Sequence, residues 1–144
     1  MQIYKSGGRN FLFLNVPPVE RSPLAQANDV PSQALEASAI EDFNDRVATL
    51  AASFQYTYRD TTVFQFNAHR VFNQVLSNPA AYPQTAGYKN TTAYCDAYAN
   101  GTPAWDSFNA TCGVPVNQYF WLNSLHPTYP MHDVVAKEVV ALLG

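Results

Sequence analysis

Charge is what this sequence has least of. Asp, Glu, Lys and Arg make up 13% of its 144 residues, about half of the roughly 25% usual in soluble domains. Eight Lys and Arg face eleven Asp and Glu, for a net charge of −3. Nucleic acid and anionic membrane both need clustered positive charge, so neither is expected as a partner. No apolar run approaches the ~20 residues of a membrane span. Met1–Gly8 lacks the apolar centre of a signal peptide. Histidine is also scarce. His69, His126 and His132 are scattered without carboxylates at ligand spacing, so no metal or other cofactor is expected. A Gly-x-Ser-x-Gly elbow is missing, and Ser6, Ser22 and Ser124 offer no substitute for it.

Tyr, Phe, Asn, Thr and Pro take the place of the missing charge. There are nine Tyr, nine Phe and ten Pro, enough with the aliphatic residues for one buried core. Two cysteines, Cys95 and Cys112, stand among three Asn-x-Thr sequons at Asn90, Asn100 and Asn109. That clustering favours a secreted surface loop stapled by a disulfide. Secretion then requires an export signal that was lost or lies upstream of Met1.

In chain order, Phe11–Val16 is an almost unbroken apolar run after Gly7-Gly8, ended by Pro17-Pro18. A strand buried on both faces has this character, and such strands are usually parallel. Residues 19–35 carry no period and read as a loop. Ile40, Phe43, Val47, Leu50 and Phe54 recur every three or four positions, which predicts an amphipathic helix over about Leu35–Phe54. Ser32 and Ser38 are its candidate caps. Thr61–Asn67 is β-branched and aromatic, a second strand. Strand, helix and strand form one βαβ unit. A short helix over Ala68–Ser77 follows, then irregular chain over 78–118, then a last helix over about Pro130–Leu143. Two parallel strands are too few for a sheet covered on both faces. The whole chain, 1–144, is therefore expected to be the C-terminal part of a larger α/β/α domain. An uncovered sheet edge beside Phe11–Val16 would then favour self-association.

Several stretches resemble the SGNH, or GDSL, ester hydrolases, and most closely the fungal secreted acetylesterase-like branch, carbohydrate esterase family 16. They are Gly7–Pro18, Phe43-Asn44, the Cys95–Cys112 loop and Phe120–Thr128. The most specific is the last, where the family reads Asp-x-x-His-Pro-Thr and this chain reads Asn123-Ser124-Leu125-His126-Pro127-Thr128. The resemblance implies a flavodoxin-like three-layer α/β/α domain with a parallel sheet, and hydrolysis of an acetyl or short acyl ester of a carbohydrate or small molecule. His126 matches the general base. Asn123 stands where the family has the aspartate that orients it. An amide can hold the imidazole but cannot stabilise the imidazolium. The family's Gly-Asp-Ser, glycine and Gly-x-Asn-Asp blocks precede the Asn15-Val16-Pro17-Pro18 strand end and have no counterpart here. The chain is thus expected to supply the histidine without the nucleophile. The competing expectation is a catalytically inactive remnant, or a carbohydrate-binding module of the same fold.

Other residues are candidates for weaker reasons. His69, just after the second strand, lies where ligands meet parallel sheets, although a surface histidine is the commoner case. Asp133 suits the start of the last helix. Asn123 fits a turn as well as an orienting role. Tyr119, Phe120, Trp121 and Tyr129 form either an acyl or sugar pocket beside His126 or a core under its loop.

Overall fold

The computed structural model describes residues 2–144. Its elements are α1 (Gln2–Lys5), β1 (Asn10–Leu14), α2 (Pro23–Gln26), α3 (Val30–Thr57), β2 (Thr62–Phe66), α4 (Ala68–Ser77) and α5 (Tyr129–Leu143), with five short 3-10 turns. The architecture is mixed α/β. β1 and β2 pair in parallel, Asn10 opposite Thr62 through Leu14 opposite Phe66, and α3 makes the crossover.

Helices cover both faces of the strand pair. Phe11 and Phe13 point to α3, each edge-on to Phe54, with centroids at 4.8 and 6.4 Å. Leu12 turns the other way and packs on the main core. That core joins Phe66, the α4 residues Val71, Phe72, Val75 and Leu76, Phe120 and Trp121, and Met131 and Val134 of α5. The alternation is the pleat of a strand flanked on two sides, although Phe11, Leu12 and Phe13 are only half-buried and Leu14 is exposed. α1 is tied down by stacking of Tyr4 on Tyr58 (4.2 Å) and by Tyr4 and Arg9 meeting Asp60.

The structure corrects part of the reading of residues 19–35. That segment is not all loop. Ser22 caps α2, accepting from the Ala25 amide. α3 begins at Val30 rather than Leu35, capped by Asp29, which accepts from the Ser32 amide, with Pro31 in the first turn. Asp is as good a cap as Ser, and Pro is at home where the helix has no amide partner. Ser32 and Ser38 are inside the helix. The apolar pattern on α3 is also only half used. Ala51 and Phe54 are buried, whereas Leu35, Phe43 and Leu50 are 73%, 53% and 67% exposed.

The irregular segment carries a second small core of Tyr98, Cys112, Val116 and Tyr119. Cys95 and Cys112 are bonded, with Cα atoms 5.7 Å apart across 17 residues. A loop of that size gains about 3 kcal/mol in the chain-entropy picture. Gly113 follows at φ +75°, a left-handed turn that suits glycine and closes the 3-10 turn before it.

Candidate functional site

The chain doubles back on itself between Tyr119 and Thr128. Trp121 and Pro127 form an antiparallel bridge. The Leu122 amide donates to the His126 carbonyl (2.8 Å), and the Thr128 amide to the Phe120 carbonyl (2.8 Å). Asn123 makes the tip. Its Oδ1 accepts from the Leu125 amide (3.0 Å) and the His126 amide (2.9 Å), the Asx geometry in which a side chain stands in for a turn carbonyl. The base is anchored in the core. Trp121 Nε1 donates to the Thr91 carbonyl (3.0 Å), and Thr128 Oγ1 to the Tyr119 carbonyl (2.6 Å). From outside, the Leu24 amide of α2 donates to the Ser124 carbonyl (2.8 Å).

His126 projects from this tip into solvent. Its Nδ1 lies 3.1 Å from Asn123 Oδ1. Two backbone amides already point at that oxygen, so it is the acceptor end of the amide group. The ring must then donate from Nδ1, which leaves the Nε2 lone pair free. The arrangement can take up a proton at Nε2. Asn123 thus forms the turn, and the same oxygen lies within hydrogen-bond distance of the His126 ring. His126 is not a helix cap; Thr128 occupies the cap position of α5. Among the described residues, no serine hydroxyl is hydrogen-bonded to His126. Ser22 is committed to α2.

Behind the tip, Tyr88 OH donates to Thr128 Oγ1 (3.1 Å), whose own proton goes to Tyr119. Burial pushes the Tyr88 phenol up to about 12, against a smaller lowering by the Thr128 bond. The unfolded chain releases this proton near pH 10 and the folded chain keeps it to about 12. Stability therefore falls through that window, by about 1.4 kcal/mol per pH unit from this group, and is unaffected by it below pH 10. Tyr88→Phe should remove that part of the alkaline slope and cost about 1 kcal/mol at neutral pH for the lost bond. Denaturant titrations of both proteins from pH 7 to 11.5 provide the check.

A second polar cleft, of about 640 Å³, lies at the carboxyl ends of the strands. Asn15 follows β1 and Asn67 follows β2, and Asn15 Nδ2 donates to Asn67 Oδ1 (3.0 Å). Asn67 caps α4. His69 enters this cleft, with Nε2 3.6 Å from Glu20 and Nδ1 3.2 Å from the Asn73 amide. Among the described residues, no hydrogen bond links the His69 ring to the His126 turn. Asn44 of α3 holds the Asn15-Val16-Pro17 bend in both directions. Its Oδ1 accepts from the Val16 amide (2.8 Å), and its Nδ2 donates to the Val16 carbonyl (3.0 Å). That clamp explains the Asn beside Phe43 without any catalytic role.

The aromatics divide. Tyr119, Phe120 and Trp121 are core, at most 8% exposed. Tyr129 is 58% exposed and lies against Trp105, also 59% exposed, with centroids 5.9 Å apart. Sequence reading missed Trp105, because nothing in its neighbourhood of Pro, Ala and Asp has a period. Asp133 pairs with Lys137 one turn on (2.9 Å) and lies beyond the first turn of α5, so the ion pair rather than the helix dipole accounts for it. Among the described residues no group of three metal-ligating side chains is assembled.

No family model matches the chain. Comparison with curated proteins finds an acetylesterase of Thermothelomyces thermophilus, 28% identical over 95% of this chain and 38% of the relative. Two GDSL esterase/lipases of Arabidopsis thaliana are 27% and 26% identical, each over 94% of this chain and 37% and 38% of their own length. The chain spans a little over a third of the length of the curated relatives it matches. With the His-Pro-Thr turn in place, the 144 residues are similar along nearly their full length to an acetylesterase and to GDSL esterase/lipases.

Proposed function

We propose that this chain is the C-terminal, histidine-bearing portion of a secreted ester hydrolase that removes acetyl or short acyl groups from carbohydrate. The observation that carries the reading is the Asn123–His126 pair, which presents a free Nε2 on a rigid turn. The likeness to an acetylesterase supports the acyl class, and the disulfide with three sequons supports secretion.

In this mechanism a serine, borne on a segment outside these residues, attacks the ester carbonyl. Its hydroxyl proton passes to His126 Nε2. The carbon–oxygen bond to the alcohol breaks, and the imidazolium returns the proton to the departing alcohol. Water then repeats the sequence on the acyl-serine, releasing the acid. Asn123 keeps the ring in the tautomer the first transfer needs. Backbone and amide donors from the same outside segment would stabilise the oxyanion.

The two-strand sheet is then one side of a larger three-layer flavodoxin-like domain, and the open flank of α3 and the open edge of β1 are surfaces that domain, or a second copy, covers. The test is a protein extended upstream of Met1, assayed on acetylated oligosaccharide with and without a serine-directed inhibitor. Inhibitor-sensitive release of acetate is expected. An extended, folded protein without it supports the second reading, a non-catalytic carbohydrate-binding fold.

A further inference from the structure

A cleft of about 410 Å³ adjoins the His126 turn, inside the 300–1,000 Å³ range of small-molecule sites. Leu122 and Pro127, the two stems of the turn, form part of its wall. Trp105 and Tyr129 form another part. Both rings are more than half exposed. An exposed Trp–Tyr pair lining a cleft offers two apolar ring faces to a ligand.

The polar groups of the cleft narrow the ligand. None of its lining residues is a carboxylate, lysine or arginine, so nothing there would hold a phosphate, an acidic sugar or a cation. Thr102 Oγ1 donates to the Ala104 carbonyl (2.8 Å), which turns its lone pairs outward as acceptors. The His132 ring has no hydrogen-bond partner among the described residues and offers one donor and one acceptor. Gly101, at φ +95° with nothing within 4 Å of a Cβ position, leaves the rim open. Apolar faces flanked by a few unspent donors and acceptors, without charge, suit a neutral polyhydroxylated ring. The C–H face of such a ring lies on an aromatic while its hydroxyls reach outward.

The geometry points to a sugar-binding subsite in this cleft, with Trp105 and Tyr129 as the stacking platform and Thr102 and His132 as hydroxyl partners. The inference rests on the reading of His126 as the base only for its purpose, which is to hold the sugar whose acyl ester reaches the turn. Trp105 rides in the loop closed by Cys95 and Cys112. The disulfide therefore closes the loop that bears one wall of the subsite, and the start of α5 bears the other. Trp105 and Tyr129 are specificity residues here and take no part in the chemistry.

Binding is measured on the folded, oxidised 144-residue chain by calorimetry and tryptophan fluorescence, with xylotetraose and cellotetraose as neutral probes and tri-galacturonate as the charged one. A neutral probe is expected to bind and to perturb Trp105 emission, while the buried Trp121 supplies a constant background. Trp105→Ala should weaken binding about tenfold, and Trp105→Phe should recover most of it. Circular dichroism establishes that each variant is folded. In an esterase-active extended protein, Trp105→Ala should raise KM for acetylated oligosaccharide by a similar factor with little change in kcat. Equal affinity for the folded Trp105→Ala variant, tighter binding of tri-galacturonate, or no binding of either neutral probe overturns the subsite. Because this readout needs no turnover, saccharide binding by a chain that never hydrolyses esters sustains the subsite and counts only against the base assignment.

Discussion

Replacing His126 with alanine in an esterase-active form of the protein is expected to lower kcat by about 10²–10⁴-fold, the usual worth of a positioned general base. The loss should fall on kcat and kcat/KM together, because the proton transfer exists only in the transition state. The side chain is solvent-exposed and, among the described residues, bonded only to Asn123, so the variant should keep its thermal midpoint. Asn123 separates two contributions. Asn123→Ala removes the acceptor for two backbone amides and for the ring. The turn loosens and the imidazole wanders, and about tenfold to hundredfold in kcat should go with it. Asn123→Asp keeps all three contacts and adds a negative charge beside Nδ1. It should raise kcat, and because the carboxylate favours the imidazolium, the acid limb of the pH–rate profile should move to higher pH. Unchanged turnover in His126→Ala, measured by steady-state kinetics, would falsify the assignment of the base.

Phe120→Ala is expected to cost about 3–5 kcal/mol of unfolding free energy, at the upper end of core truncations. Phe120 is fully buried. Its ring meets Trp121 at 4.7 Å, Tyr88 at 5.6 Å and Phe72 at 6.0 Å. Large aromatic neighbours close poorly over a void, so most of the cavity should persist. Domains of this kind hold roughly 5–15 kcal/mol in all, and the variant should approach the unfolding threshold. The informative contrast is Phe43→Ala. By sequence period Phe43 belongs to the same apolar stripe as Phe54, yet it is 53% exposed. Its loss should cost less than about 1 kcal/mol. Urea midpoints for the two variants, with m-values compared, decide whether the main core or the flank of α3 carries the stability.

Both strands, the crossover helix, the helix after β2 and the final helix were legible because apolar period and β-branched runs are local signals. The boundaries of α3 were not. The pattern of Ile40, Phe43, Val47 and Leu50 places the helix from about Leu35 onward, whereas the cap that starts it is Asp29, six positions before Leu35 and eleven before the stripe begins at Ile40. Burial itself is a property of what lies opposite, and nothing in α3 says that Phe43 meets solvent. In the site, His126 and Asn123 were legible from one short block, and their contact follows from a three-residue turn. Trp105 was not, because it comes to Tyr129 from 24 positions away through a disulfide-closed loop. Contacts of that kind are set by tertiary closure, which leaves no period in the chain.

The open edge of β1 has a consequence for exchange with solvent. Arg9 and Asn15 bond to β2, so in a parallel ladder Phe11 and Phe13 face β2 as well, and the amides of Leu12 and Leu14 point away. Five consecutive residues should thus divide into two populations in deuterated water, slow at 11 and 13 and fast at 10, 12 and 14. Any strand that later takes its place along this edge, from the same polypeptide or another, would erase the alternation. A two-residue rhythm in amide lifetimes along β1 is therefore a gauge of whether the sheet ends where it does here.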